Sequence, residues 1–131
     1  MRQIILSITI VLLLTACDPG TDCYIYVRNN CSYPISVITT KEYADNRPVK
    51  TTITNILSNE NKLIHKDLIL DTPPKFNFIQ LYFFSIITIT NGDETSKRDF
   101  MNSSLWELTT NKKGLNYEAF FYLTVNPEDF E

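Results

Sequence analysis

Residues 117–125 read Tyr117-Glu118-Ala119-Phe120-Phe121-Tyr122-Leu123-Thr124-Val125, and their alternation decides the fold. Tyr117, Ala119, Phe121, Leu123 and Val125 fall on one side, and Glu118, Phe120, Tyr122 and Thr124 on the other. A period of two belongs to a strand whose faces meet different surroundings; a helix repeats near 3.6.

The same reading extends outward along the chain. Tyr24-Ile25-Tyr26-Val27 and residues 35–40 are aromatic and β-branched. They flank turn residues at 29–34, so residues 23–40 read as a hairpin. Residues 51–57 are strand-like and 58–61 form a turn. Residues 62–70 carry a weaker strand pattern, in which Leu63, Ile64 and Leu68 also suit one face of a helix. Residues 76–90 are the strongest apolar segment. Leu81, Phe83, Ile87 and Ile89 point one way and Tyr82, Phe84 and Ile86 the other, which implies cover on both faces.

Breakers separate these segments. Pro73-Pro74 removes two donors and restricts the residue before it. Asn91-Gly92 is a strong hairpin signal, and residues 93–99 read as a polar loop or a solvated edge strand. Ser104 and Glu107 have the spacing of a capping box, while Lys112-Lys113-Gly114 suits a helix end. These signals predict one short helix over 105–113, with Trp106 as its core anchor. Asn126-Pro127 then reads as a cap followed by the first residue of a helical turn. Six or seven short strands without βαβ alternation predict a mainly β fold, an antiparallel β-sandwich of immunoglobulin-like proportions.

Residues 1–16 read as an address rather than as part of that fold. Residues 4–14 are apolar except for Ser7 and Thr9. This is too short to cross a bilayer, which takes roughly 20 residues, but it fits the apolar core of a secretory signal. The stretch ends in Leu14-Thr15-Ala16-Cys17, which resembles the lipobox of bacterial lipoproteins. The resemblance implies a diacylglycerol on the Cys17 thiol, cleavage after Ala16 and acylation of the new amine. Two or three acyl chains anchor stably where one does not, at roughly 0.8 kcal/mol per buried methylene. The expected division is a signal peptide at 1–16, a lipid-anchored tether at 17–22 and a single sandwich domain at 23–131. Asp18 and Asp22 lie just after the anchor. In enteric bacteria an Asp directly after the lipidated Cys resembles an inner-membrane retention signal, and in Bacteroidota acidic residues there resemble a surface-export signal. The outer membrane and its surface are the favoured placement, and the inner membrane is the alternative.

With Cys17 lipidated, Cys23 and Cys31 remain, and a pair of cysteines in an exported chain suggests a disulfide. In one straight strand they would stand about 26 Å apart, far beyond the roughly 4.4–6.8 Å that a bridge requires. Either the chain turns back at Asn29-Asn30 and pairs them, or both stay as thiols.

Little in the sequence points to catalysis. His65 is the only histidine, no Gly-x-Ser-x-Gly elbow accompanies it, and it reads as a solvated side chain beside Lys66 and Asp67. Zinc sites want several closely spaced ligands, and adjacent acids such as Asp93-Glu94 and Glu128-Asp129 read as solvated loops. Gly20, Gly92 and Gly114 do not make a phosphate loop. A net charge of −3 gives no reason to expect nucleic acid. No metal, cofactor or enzymatic activity is expected, and a small hydrolase is the least favoured reading. Tyr24, Tyr26, Tyr33, Phe120 and Tyr122 either form an exposed aromatic face for a glycan or partner protein, or pack beneath the helix and across the sheets; packing is the favoured reading.

Taken together, the lipobox, the strand at Tyr24–Val27 with Asn29-Asn30, Pro34-Ile35-Ser36-Val37, Leu81-Tyr82-Phe83-Phe84, Trp106 and residues 122–130 resemble small uncharacterised lipoproteins of Bacteroidota. That resemblance implies a β-rich envelope domain tethered to a membrane and supplies no functional residues. The expected function is a non-enzymatic envelope module that binds a partner or serves structurally. The alternative is an immunity protein that neutralises a toxin at the envelope.

Overall fold

The computed structural model describes residues 19–70, 72–73 and 83–131. The signal segment, Cys17, Asp18, Pro74 and the apolar residues 76–82 with Leu81 and Tyr82 lie outside the described residues.

Among the described residues, seven strands form two sheets: β1 (Thr21–Asn29), β2 (Ile35–Lys41), β3 (Lys50–Ile56), β4 (Asn61–Ile69), β5 (Ile86–Thr90), β6 (Trp106–Lys113) and β7 (Asn116–Val125). One sheet has the order β4-β1-β7-β6 and the other β3-β2-β5. The two pack as a sandwich. β7 keeps the alternation read from its sequence, with Ala119, Phe121, Leu123 and Val125 buried. Its neighbour β1 alternates in step, burying Cys23, Ile25 and Val27. Against them the smaller sheet sets Ile35, Val37, Ile56, Ile87 and Ile89, while Phe83, Phe100 and Trp106 complete the core.

Three expectations need correction. First, residues 106–113 form strand β6, paired with β7 along its whole length, rather than a helix. The helical part is a single 3-10 turn at Ser103–Leu105, which Asn102 caps through its side chain. β6 is an edge strand exposed almost throughout, so it has no alternation to announce it. Gly114 does take a positive φ of 68°, but in the β6–β7 turn rather than at a helix end. Trp106 is buried as expected, and its indole N–H donates to the Phe100 carbonyl at 2.8 Å.

Second, β1 and β2 do not form a hairpin. β1 pairs with β4 and β7, while β2 pairs with β3 and β5, so the chain crosses between sheets at residues 30–34. Buried Asn29 fixes this corner. Its amide donates to the Tyr33 and Leu57 carbonyls at 2.8 and 3.0 Å, and its side-chain oxygen accepts from the Cys31 N–H at 3.0 Å. Third, the β1–β7 pair is parallel, whereas the other strand pairs are antiparallel, so the four-stranded sheet is mixed.

Two boundaries also shift. β1 begins at Thr21, so Thr21 and Asp22 belong to the sheet rather than to the tether. Gly20 is already held: its N–H donates to the Asn116 side chain and its carbonyl accepts from the Tyr117 N–H. In the apolar segment, β5 starts only at Ile86. Phe83 and Phe84 are both buried in the irregular stretch before it, whereas Ile86 is exposed.

Candidate functional site

The outer face of the four-stranded sheet carries a block of aromatic rings. Tyr24 stands opposite Phe120, and Tyr26 opposite Tyr122, across the parallel pair β1–β7. These side chains point away from the core because their neighbours Ile25, Val27, Phe121 and Leu123 point into it. The rings stack in pairs, with centroids 5.0 Å apart and planes 11° apart for Tyr24–Phe120, and 5.2 Å and 20° for Tyr26–Tyr122. The favoured expectation, rings packed across the sheets, therefore fails for these four. It holds for Tyr33, which packs against the core and meets Phe130 edge to face at 6.0 Å.

Cations flank the block. Lys66 on β4 stands opposite Tyr24 and holds its ammonium 4.9 Å from the ring centroid. Arg28 reaches from β1 to Glu107 on β6, at 3.1 Å, and lays its guanidinium 4.1 Å over the Tyr122 ring. One row thus runs Lys66, Tyr24, Phe120 across three strands, and the next runs Tyr26, Tyr122 with Arg28 and Glu107. Part of the ring surface is taken up by these neighbours, and all four rings are half-buried. The hydroxyls of Tyr24, Tyr26 and Tyr122 make no hydrogen bond to another described residue. Exposed Leu63 and Leu68 border the block on β4.

These contacts are individually weak. A cross-strand aromatic pair contributes about 0.2–1 kcal/mol, an exposed cation–π contact about 0.5–1 kcal/mol, and an exposed ion pair about 0–1 kcal/mol. The sandwich is held by its interior, and this face can change without unfolding it.

The other candidate residues are placed as follows. Cys23 and Cys31 are free thiols, so the bridge weighed from the sequence is not formed. β1 continues straight from Cys23 to Asn29, which alone separates the two by about 20 Å at roughly 3.3 Å per residue. Both side chains are buried, and burial, with Asp67 and Asp22 nearby, pushes the Cys23 thiol up to about 12. Alkylation of the native chain at pH 8 is therefore expected to leave Cys23 and Cys31 unmodified, while unfolding in denaturant exposes both; intact mass after each treatment checks this. A thiol that reacts at the rate of free cysteine in the native chain would contradict it.

Asp129, expected as a solvated loop acid, is buried, pairs with Arg98 and accepts the Asn126 N–H at 2.9 Å. It closes the C-terminal 3-10 turn at Pro127–Phe130. Asp93 and Glu94 do lie exposed, in a turn whose Asn91 side chain accepts both of their backbone N–H groups at 3.0 and 2.8 Å. Among the described residues, no three His, Cys, Asp or Glu side chains gather where a metal ion could be held.

His65 is half-buried rather than solvated, with its ring edge to face against Phe83 and Phe84 at 5.7 and 5.4 Å. Sequence alternation missed this because β4 carries a bulge. Ile25 pairs with His65 and Tyr26 with Leu63, which leaves Ile64 as the extra residue. No family model, curated protein or solved structure matches this chain.

Proposed function

We propose that this chain is a lipid-anchored module of the bacterial envelope, tethered through Cys17, which binds a protein partner through the outer face of its four-stranded sheet. The observation that carries the reading is the outward block of Tyr24, Tyr26, Phe120 and Tyr122 with Arg28 and Glu107. Tyrosine and arginine dominate the energetics of protein interfaces, because each combines a large apolar contact with a polar tip. The free phenol hydroxyls can bond partner groups. A glycan fits less well, since a sugar ring lies flat on an open aromatic face and these rings are stacked and flanked by cations. The mature chain of 115 residues has a net charge of −4, with no concentration of charge that would favour nucleic acid.

Photo-cross-linking in the native envelope tests the proposal. Thr109 lies opposite Phe120 at the border of the block, whereas Ile53 is exposed on the opposite sheet. A photoreactive residue at 109 is expected to yield one discrete protein adduct and the same residue at 53 none. Equal adducts from both positions, or none from 109, would sink the idea.

A further inference from the structure

The sandwich opens at one end into a cleft of about 260 Å³, between β4 of one sheet and the ends of β2 and β3 of the other. The residues on its walls break the pattern of the core. Along β2 the inward positions run Ile35, Val37, Thr39, Lys41, and along β3 they run Ile56, Thr54, Thr52, Lys50. Lys41 and Lys50 stand directly opposite each other, both on the inward side. Lys50 and Thr52 are exposed and Lys41 is half-buried beside the Tyr43 ring, so the two lysines stand at the mouth of the cleft rather than in the core.

From the other sheet the β4 bulge turns His65 inward, opposite buried Ile25. Its Nε2 is buried and has no hydrogen-bond partner, because the Asp67 carboxylate lies 3.7 Å away, beyond bonding distance. Burial holds the imidazole below its ordinary value, and Lys41 and Lys50 add to this against the opposing pull of Asp67. Among the described residues, Asp67 is the only carboxylate on the walls; Tyr43 and Lys66 lie at the rim, and Phe83 and Phe84 supply an apolar wall.

We infer that this cleft binds a phosphoryl group carried on a small organic body, with the anion between Lys41, Lys50 and the Nε2 of His65 and the carbon body against Phe84. The phosphate oxygens give Nε2 the partner it lacks, and the two lysines lining the cleft supply the opposite charge. Lysine serves phosphate as a movable point charge. The site is separate from the aromatic face, and neither reading depends on the other. A free phosphate ester and a phospholipid headgroup share this chemistry.

His65 is the single histidine, so its ring protons report on the cleft without ambiguity. The full chain in a non-ionic detergent is titrated at constant ionic strength with phenyl phosphate and, separately, with dihexanoylphosphatidylglycerol, while the His65 resonances are followed by NMR. At least one probe is expected to move them saturably, where chloride does not. The bound anion is also expected to raise the pH midpoint of His65, so affinity strengthens as pH falls through that midpoint. Saturation by phenyl phosphate alone identifies a free ester, and saturation by the lipid alone identifies a headgroup. Lys41→Gln with Lys50→Gln is expected to weaken binding by about tenfold or more, since a charge-assisted bond contributes on that scale. Thermal melting of this double variant is measured alongside, so that affinities are compared between folded chains. No saturable shift with either probe, or equal affinity in the folded double variant, would overturn the proposal.

Discussion

Replacing Phe121 with alanine is expected to lower the stability of the fold by about 3–5 kcal/mol, the range for large-to-small substitution of a buried aromatic residue. Phe121 has no exposed surface and sits mid-strand on β7, which is paired on both sides. It stands level with Ile25 on β1 and Leu108 on β6, and its ring meets Phe83 edge to face at 6.0 Å. The cavity left by its removal is lined by strands that cannot all close in. Domains of this size are stable by only about 5–15 kcal/mol, so the loss is a large part of the total. Equilibrium denaturation in urea should show a lower midpoint with an unchanged slope. Tyr122, the next residue, points to the opposite face. Its replacement by threonine, a residue suited to strands, should cost no more than about 1–2 kcal/mol, the combined size of its stacking and cation–π contacts. A large loss at Tyr122 or a small one at Phe121 would mean that the faces of β7 are assigned the wrong way round.

Replacing Cys17 with serine is expected to abolish membrane anchoring through the lipid. Each methylene buried in the bilayer contributes roughly 0.8 kcal/mol, so two or three acyl chains supply far more than any surface contact on this domain. Mass spectrometry of the mature parent should find an acylated cysteine at its N-terminus, and the parent should partition into the detergent phase. The serine variant should carry no acyl mass and should leave that phase. An unmodified Cys17 in the parent would remove the anchor from the account. If the anchor is present, the sandwich stands close to the membrane, since β1 begins at Thr21.

Much of the fold was legible because it is written in local alternation. β7 and β1 were readable because one face is buried and the other is not, and each residue declares its side. Gly92 marked a turn correctly; Gly114 takes the positive φ expected of it, but in a strand–strand turn rather than at a helix end. The errors fall where local signals describe a shape that tertiary pairing overrides. Ser104 and Glu107 have the spacing of a helix start, yet Trp106 to Lys113 pair with β7, and an exposed edge strand gives no alternation to contest the helix. The turn chemistry at 29–34 was correctly read as a turn. Nothing in it says that Asn29 sends the chain to the other sheet, because the carbonyls that its amide binds at Tyr33 and Leu57 lie on separate parts of the chain.

The sites were legible to a lesser degree. Five aromatic residues were singled out, but the stacking of four of them, Tyr24, Tyr26, Phe120 and Tyr122, depends on the parallel register of β1 and β7, whose paired residues lie 96 apart in sequence and share no local signal. His65 was read as solvated because a single bulge shifts the alternation of β4 at Ile64 and turns the imidazole inward. The lysines that face it come from the far ends of β2 and β3, in the other sheet. A charge pattern of this kind is visible only after the two sheets are laid together.

The central claim is that the outer aromatic block serves recognition and not the stability of the fold. Its most direct test is the in-envelope adduct formed from a photoreactive residue at position 109, compared between the parent and the double variant Tyr26→Thr, Tyr122→Thr, with thermal melting of both chains measured alongside. The account predicts that the variant stays folded, with a melting transition close to that of the parent, and that the adduct disappears. An undiminished adduct in the folded variant would contradict it.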